Sequence, residues 1–122
     1  MAKTILLVDD DRPIRDLYKK ILTDAGYIVT VAEDGKVGLA QIKTGTQYDL
    51  ILLDIMMPQI DGLGILDILK NENIKHGPIL LMTNLLNDPA TKQATEKGAI
   101  GCITKVNLDP GQFVQTIQGV IK

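Results

Sequence analysis

The sequence predicts an α/β fold in which one parallel β-sheet is covered by helices on both faces. Three short apolar runs show no polar alternation: Thr4 to Val8, Leu50 to Leu53 and Ile79 to Met82. Such runs are typical of parallel strands that are buried on both sides. Segments with a helical repeat of apolar residues lie between them. This alternation of strand and helix favours right-handed crossover connections, and therefore a doubly covered sheet.

Two weaker patterns complete the predicted strands. Tyr27 to Ala32 partly alternates, as an edge strand does, and Ile100 to Thr104 is a short β-branched run. The five predicted helices are a first from about Pro13 to Gly26, then Lys36 to Lys43, Leu63 to Asn71, Asp88-Pro89 to about Gly98, and Asp109-Pro110 to about Ile121. The predicted buried face of the first helix consists of Ile14, Leu17, Tyr18, Ile21 and Leu22.

Composition narrows the function classes. The 122 residues fit one domain, 1–122, either free-standing or part of a longer protein. A net charge of -2 gives no electrostatic reason for direct nucleic-acid binding. The lone Cys102 excludes an intrachain disulfide, and no apolar run reaches the roughly 18 residues of a membrane span. We therefore expect a cytoplasmic protein without membrane insertion.

Polar residues follow four of the five predicted strands. Asp9 and Asp10 follow the first strand, and Asp54, Thr83 and Lys105 follow the third, fourth and fifth. Because ligands of open α/β sheets bind outside the carboxyl ends of the strands, these side chains are expected to form a site.

Other polar residues nearby have simpler interpretations. Asp11 is predicted to cap the first helix, and Asp61-Gly62 is interpreted as a turn rather than a site. His76, in a Lys-His-Gly-Pro turn, is predicted to be solvated. Lys92, Glu96 and Lys97 are predicted to lie at the rim of an interaction surface formed by the fourth helix, the fifth strand and the fifth helix.

The expected acidic cluster needs a counterion. Two carboxylates about 4 Å apart repel by roughly 4 kcal/mol at an effective dielectric constant near 20. A lysine offsets part of this repulsion, and a divalent cation offsets more. An oxygen-only ligand set of Asp9, Asp10 and Asp54 favours Mg²⁺ or Mn²⁺ over zinc. Such an ion keeps open positions that suit a phosphoryl group, and an aspartate can itself accept that group.

Four stretches, "ILLVDDD", "DLILLDIMMPQIDG", "LMTN" and "GAIGCITK", resemble the motifs of response-regulator receiver domains. The resemblance extends over essentially the whole chain. It implies a five-stranded parallel sheet of order 2-1-3-4-5 flanked by five helices, the flavodoxin-like doubly wound fold. It also implies a phosphoprotein of two-component or phosphorelay signal transduction, which catalyses only its own phosphorylation and dephosphorylation.

The resemblance assigns roles to the acidic residues. It implies that Asp54 is the phosphoacceptor. It implies that Asp10 binds Mg²⁺ directly, that Asp9 binds it largely through water, and that Asp54 and the backbone carbonyl of Met56 complete the protein ligands.

The resemblance also implies that Thr83, Asn84 and Lys105 form the phosphate-binding and switch residues. Three positions depart from the usual pattern of the family. Val106 follows the lysine where many members have proline. Cys102 stands where many members have an aromatic residue that swings inward on phosphorylation. Asn84 stands where a small residue is usual. Phosphorylation needs none of these features, but an aromatic switch cannot operate at Cys102, which we interpret as a small buried residue.

The implied partners are a sensor histidine kinase or histidine phosphotransfer protein, and a downstream protein that binds the face formed by helix 4, strand 5 and helix 5. Two alternatives remain open. A carboxylate phosphatase usually has a second Asp two residues after the nucleophile, where this chain has Met56. A pseudo-receiver, which only binds a partner, tends to lose the acids or the lysine that this chain keeps. A phosphorelay receiver without the aromatic switch is the nearest variant of the main hypothesis.

Overall fold

Strands and helices alternate along the chain as the apolar patterns predicted. The computed structural model describes residues 2–83, 89–105 and 109–121, with the side chains of residues 89–91 also outside the description. The strands are β1 (Thr4–Val8), β2 (Ile28–Ala32), β3 (Leu50–Asp54), β4 (Ile79–Thr83) and β5 (Gly101–Thr104). The helices are α1 (Arg12–Asp24), α2 (Gly35–Lys43), α3 (Gly62–Asn71), α4 (Pro89–Glu96) and α5 (Pro110–Val120).

The five strands form one parallel sheet in the order β2-β1-β3-β4-β5, which confirms the predicted order. β2 lies at one edge, as its alternating pattern indicated. Every residue of the central strands β3 and β4 is buried. Their unbroken apolar sequences follow from this position, because neither face meets water.

Helices cover both faces of the sheet. In β1, Ile5 and Leu7 face α1 and α5, where they join a cluster that contains Phe113. Leu6 and Val8 face the opposite side, where α2, α3 and α4 contribute the other cluster. The alternation of side chains along each strand therefore divides the core in two. Among the helices described, none is both long and apolar enough to cross a bilayer.

The predicted ends of the elements differ from the observed ends by one or two residues. β2 begins at Ile28 rather than Tyr27, and β5 begins at Gly101 rather than Ile100. Asp11 caps α1 by accepting a hydrogen bond from the Ile14 N–H at 3.3 Å, as predicted. The predicted cap of α4, Asp88, lies outside the described residues.

Leu17 and His76 differ from their sequence predictions, and the structure adds a contact for Lys97 and a role for Asp61. Leu17 is 50% exposed, because the buried stripe of α1 narrows to Tyr18 and Leu22. The ammonium of Lys97 lies 2.6 Å from a carboxylate oxygen of Asp67 on α3, a contact that the sequence did not predict. His76 is half-buried rather than fully solvated, with Nδ1 2.6 Å from the Gly77 carbonyl. Asp61 is not only a turn residue but the N-cap of α3.

Candidate functional site

The sheet register brings the polar strand ends to one edge. Asp54 ends β3 opposite Met82, and Thr83 ends β4 opposite Thr104 of β5. Asp9 follows β1 directly, and its N–H donates to the Ala32 carbonyl on β2 at 3.2 Å. The parallel arrangement therefore places these residues together, as the strand-end pattern predicted.

Asp9 is a fully buried carboxylate with a fixed orientation. Its Oδ1 accepts a hydrogen bond from the Asp11 N–H at 2.9 Å, and its Oδ2 lies 2.9 Å from Lys105 Nζ. That close pair is an ion contact without good hydrogen-bond alignment at Oδ2. Because an isolated buried carboxylate is strongly unfavourable, the Lys105 ammonium offsets part of the cost of burying the Asp9 side chain.

Lys105 bridges the two buried carboxylates. Its Nζ lies 3.0 Å from Asp54 Oδ2 as well as 2.9 Å from Asp9 Oδ2, and its side chain is almost fully buried. Burial lowers the pKa of Lys105, but hydrogen bonds and charge interactions with Asp9 and Asp54 outweigh burial, so the pKa is raised overall. The lysine is therefore a fixed positive charge at the site.

Asp54 is a buried carboxyl group whose pKa is set by opposing interactions. It is 3% exposed, and burial raises its pKa to about 6, with a further upward contribution from Asp9. The hydrogen bond and charge of Lys105, and the Met56 N–H at 3.2 Å from Oδ1, act in the opposite direction. Burial and Asp9 therefore favour the protonated form of Asp54, whereas Lys105 and the Met56 N–H favour the carboxylate, the form that attacks a phosphoryl group.

Three carboxylates at this edge fit a divalent cation. One oxygen each from Asp9, Asp10 and Asp54 lies within 4.8 Å of the others, and Asp10 is exposed while its neighbours are buried. Ligand oxygens of octahedral Mg²⁺ are at most about 4.2 Å apart, because each metal-oxygen bond is about 2.1 Å. The three oxygens are therefore close enough together for one ion to be held by some of them directly and by others through water. The oxygen-only set and the poorly aligned Asp9 Oδ2 favour Mg²⁺.

The segment between β3 and α3 depends on a close backbone approach. The Gly62 N–H donates to the Ile55 carbonyl at 3.0 Å, and a Cβ at Gly62 would lie 2.7 Å from the Asp54 carbonyl oxygen. Asp61 caps α3 by accepting a hydrogen bond from the Gly64 N–H at 2.7 Å. The sequence predicted only a turn at Asp61-Gly62. It gave no sign that Gly62 lies against the backbone of Asp54.

The remaining predicted residues are partly described. Thr83 is buried at the end of β4, beside the acidic cluster, and Met56 is 70% exposed. Cys102 is half-buried and packs against the α2–α3–α4 side of the core, where burial raises the pKa of its thiol. Asn84 and Val106 lie outside the described residues.

Two further residues contact the site that sequence reasoning did not include. Arg15 Nη1 donates to the Asp9 carbonyl at 2.8 Å, and the Tyr18 hydroxyl donates to the Lys105 carbonyl at 3.1 Å. Both belong to α1. An Arg and a Tyr on a helix carry no sequence signal for such contacts, because the partners are backbone atoms.

This fold and this arrangement of strand-end residues define a receiver, and comparison with known proteins agrees. The sequence profile of the response regulator receiver domain family matches residues 5–118. The chain therefore belongs to the response regulator receiver domain family.

Relatives and solved structures support the same classification. The chain is 38% identical to the transcriptional regulatory protein CusR of Escherichia coli K12 over 101 residues, which are 83% of this chain and 44% of CusR. It is 36% identical to RcaC of Microchaete diplosiphon over 118 residues, which are 97% of this chain and 18% of RcaC. The chain thus spans less than half the length of these relatives.

Among solved structures, the chemotaxis response regulator CheY4 of Vibrio cholerae superimposes with a TM-score of 0.86 at 29% identity, covering 98% of this chain and 99% of that one. The receiver domain of the Francisella response regulator 1452 gives a TM-score of 0.85 at 28% identity, covering 98% and 96%. Both likenesses extend over nearly the whole of each chain.

Proposed function

We propose that this receiver accepts a phosphoryl group on Asp54 from a phosphohistidine of a sensor kinase or histidine phosphotransfer protein. The contact that carries the proposal is the bridge of Lys105 Nζ to both buried carboxylates, 2.9 Å from Asp9 and 3.0 Å from Asp54. A buried carboxylate beside a fixed cation has the features of a nucleophile for phosphoryl transfer.

The transfer forms a bond between an Asp54 carboxylate oxygen and phosphorus and breaks the phosphorus-nitrogen bond of the phosphohistidine. The imidazole nitrogen keeps the electron pair of the broken bond. Lys105 then shifts its ammonium from the Asp54 carboxylate to a phosphoryl oxygen, and the Thr83 hydroxyl donates to another. Protein side chains therefore supply positioning and charge neutralisation, which are the main requirements of this reaction.

Mg²⁺, when bound, neutralises phosphoryl oxygens and part of the acidic charge. Asp9, Asp10, Asp54 and the Met56 carbonyl would hold it. Three carboxylates and one ammonium leave two excess negative charges at this edge. That excess repels an incoming phosphoryl group, so phosphorylation is expected to require the cation.

The alternatives have less support. A phosphatase of the two-aspartate type would need a carboxylate at position 56, where Met56 is exposed instead. A receiver that only binds partners would not need Lys105 and two acids in one buried contact. The output face of α4, β5 and α5, and the cytoplasmic location, are parts of this proposal. CusR is named a transcriptional regulatory protein. Our proposal for this chain does not include DNA binding.

The test is incubation with acetyl phosphate and Mg²⁺, followed by intact-mass measurement and base treatment. The wild-type chain should gain one phosphoryl group that is stable in acid and labile in base, and Asp54→Asn should gain none. Asp11→Asn is the matched control, because asparagine also caps a helix and Asp11 has no role in the proposal. Undiminished labelling of Asp54→Asn would exclude Asp54 as the acceptor. If Asp54 is the acceptor, phosphotransfer assays with the histidine kinases of the source organism would identify the donor.

A further inference from the structure

The main chain of Lys105 is held from two sides. Its N–H donates to the Thr83 carbonyl on β4 at 2.7 Å, and its carbonyl oxygen accepts from the Tyr18 hydroxyl on α1 at 3.1 Å. The side chain of the same residue ends between Asp9 and Asp54. The peptide units before and after the Lys105 Cα are therefore both tied to neighbouring elements.

The Tyr18 hydroxyl is itself held at a defined position. The residue is 4% exposed, and its ring packs on Phe113 of α5 with a centroid separation of 4.8 Å and a tilt of 30°. Phe113 is fully buried, so the two rings cannot separate without opening the core. Burial raises the pKa of Tyr18 despite the opposing charge of Lys105, so the phenol stays protonated and can donate.

Lysine alone provides little positional control. Its ammonium stands on a flexible four-carbon side chain, so its location depends on where the Cα is fixed. In this chain the required location is narrow, because Nζ contacts two carboxylates at 2.9 and 3.0 Å at once. A contact that fixes the Lys105 carbonyl therefore restricts the volume that the ammonium samples.

We propose that Tyr18 is a positioning residue of the phosphoryl-transfer site, which holds the Lys105 carbonyl and so keeps the ammonium between Asp9 and Asp54. The kinetic consequence of this inference rests on the proposed function. Tyr18 does not touch the reacting atoms; it acts through Lys105, and links the site to α1 and, through Phe113, to α5.

Tyr18→Phe tests the inference, because it removes the hydroxyl and keeps the ring that packs on Phe113. Tyr48→Phe is the matched control, since Tyr48 is also buried and its hydroxyl lies 3.3 Å from Gln41 Oε1, away from the site. With acetyl phosphate and Mg²⁺, Tyr18→Phe should lower the maximal rate of Asp54 phosphorylation by roughly three- to tenfold. The dissociation constant for Mg²⁺ should stay within about twofold of wild type, because Tyr18→Phe replaces none of the carboxylates and keeps the positive charge of Lys105.

A second measurement reports on Lys105 without any chemistry. In NMR spectra of the full chain, the Lys105 Cε signals should shift in Tyr18→Phe and stay in place in Tyr48→Phe. Equal phosphorylation rates of the two variants, or unchanged Lys105 signals, would overturn the inference. A parallel loss of Mg²⁺ affinity would also overturn it, because the whole site would then be distorted. If the wild-type chain is not phosphorylated at all, the proposed function fails, and the Lys105 signals alone decide this inference.

Discussion

At the scale of single residues, neighbouring aspartates have different structural positions. Asp9 is buried, accepts the Asp11 N–H and contacts Lys105, whereas Asp10 is exposed. Asp9 therefore contributes to the local structure as well as to the acidic charge. The side chain of Asp10 is available to a metal ion, and it adds repulsion to the cluster when no ion is bound.

Replacing the exposed acid should separate metal binding from stability. Asp10→Ala should weaken Mg²⁺ binding by at least about tenfold, since it removes a carboxylate ligand. Without metal, the midpoint of thermal unfolding should rise by roughly a few degrees, because one of three like charges is removed. Calorimetry and Mg²⁺ titration measure the two effects. Asp16→Ala, which removes only an exposed ion pair with Arg12 on α1, is the control and should change neither by a comparable amount. Wild-type Mg²⁺ affinity in Asp10→Ala would place the metal site elsewhere.

At the scale of elements, the junction of β3 and α3 depends on glycine. Gly62→Ala would place a Cβ 2.7 Å from the Asp54 carbonyl and 3.1 Å from the Ile55 Cα, both backbone atoms that cannot easily move. We expect a loss of roughly 1–3 kcal/mol in the free energy of unfolding and slower phosphorylation. Gly119→Ala in α5 has open space around the new methyl group and should instead gain up to about 1 kcal/mol. Urea unfolding measures the free energy of unfolding of both variants. An unchanged free energy of unfolding in Gly62→Ala would contradict the close approach of Gly62 to the Asp54 backbone.

The elements near the site are also where a conformational switch is expected. A shift from 10:90 to 90:10 between two states requires about 2.6 kcal/mol of differential binding, within reach of a few charge-assisted hydrogen bonds. Beryllofluoride, a stand-in for the phosphoryl group on Asp54, should shift the amide NMR signals of residues 83–86 and 105–107, with smaller shifts on α4.

Cys102→Tyr examines how that change spreads. Because Cys102 packs against the core and not on the reacting groups, the variant should alter the spread of the shifts and change the phosphorylation rate only a few-fold. If beryllofluoride binds Asp54 while residues 83–86 and 105–107 stay unaffected, the protein is a phosphoryl acceptor or relay without this switch.

At the scale of the whole molecule, the acidic site sets a pH dependence of stability. The pKa of Asp54 is about 6 in the folded protein against 3.8 for an unperturbed aspartate, so folding favours its protonated form. The stabilisation that this carboxyl contributes is complete below about pH 4 and is lost as the pH rises through 6. Asp49, whose pKa is lowered by the hydrogen bond from the Thr4 N–H, has the opposite effect.

A comparison of wild type with Asp54→Asn isolates this contribution, because Asp49 is present in both. Without metal, the free energy of unfolding of Asp54→Asn relative to wild type should increase between pH 4.5 and pH 7 by on the order of 1–3 kcal/mol. Urea unfolding at the two pH values measures the change. If the difference in the free energy of unfolding between the two proteins does not change with pH, the pKa of Asp54 is not raised in the folded protein.

The sequence by itself determined the α/β class, the sequence of elements and which residues end the strands. Apolar runs report burial on both faces, and the side chains that follow β1, β3, β4 and β5 meet at one edge in any parallel sheet. This is why Asp9, Asp54, Thr83 and Lys105 could be predicted as neighbours from their positions alone. The strand order came from the family resemblance, because hydrophobic patterns do not specify which strands are adjacent.

Only the tertiary structure decided how these residues are held. Periodicity placed Leu17 on the buried face of α1, but only Tyr18 and Leu22 of that helix are buried and Leu17 is half exposed. The ion pair of Lys97 with Asp67 of α3 was likewise not visible in the sequence, because the two residues are 30 positions apart. The contacts of Tyr18 with the Lys105 carbonyl and of Gly62 with the Asp54 backbone join residues to main-chain atoms. Main-chain groups are nearly the same in every residue. The sequence therefore does not show which of them a side chain contacts, and only the folded chain does.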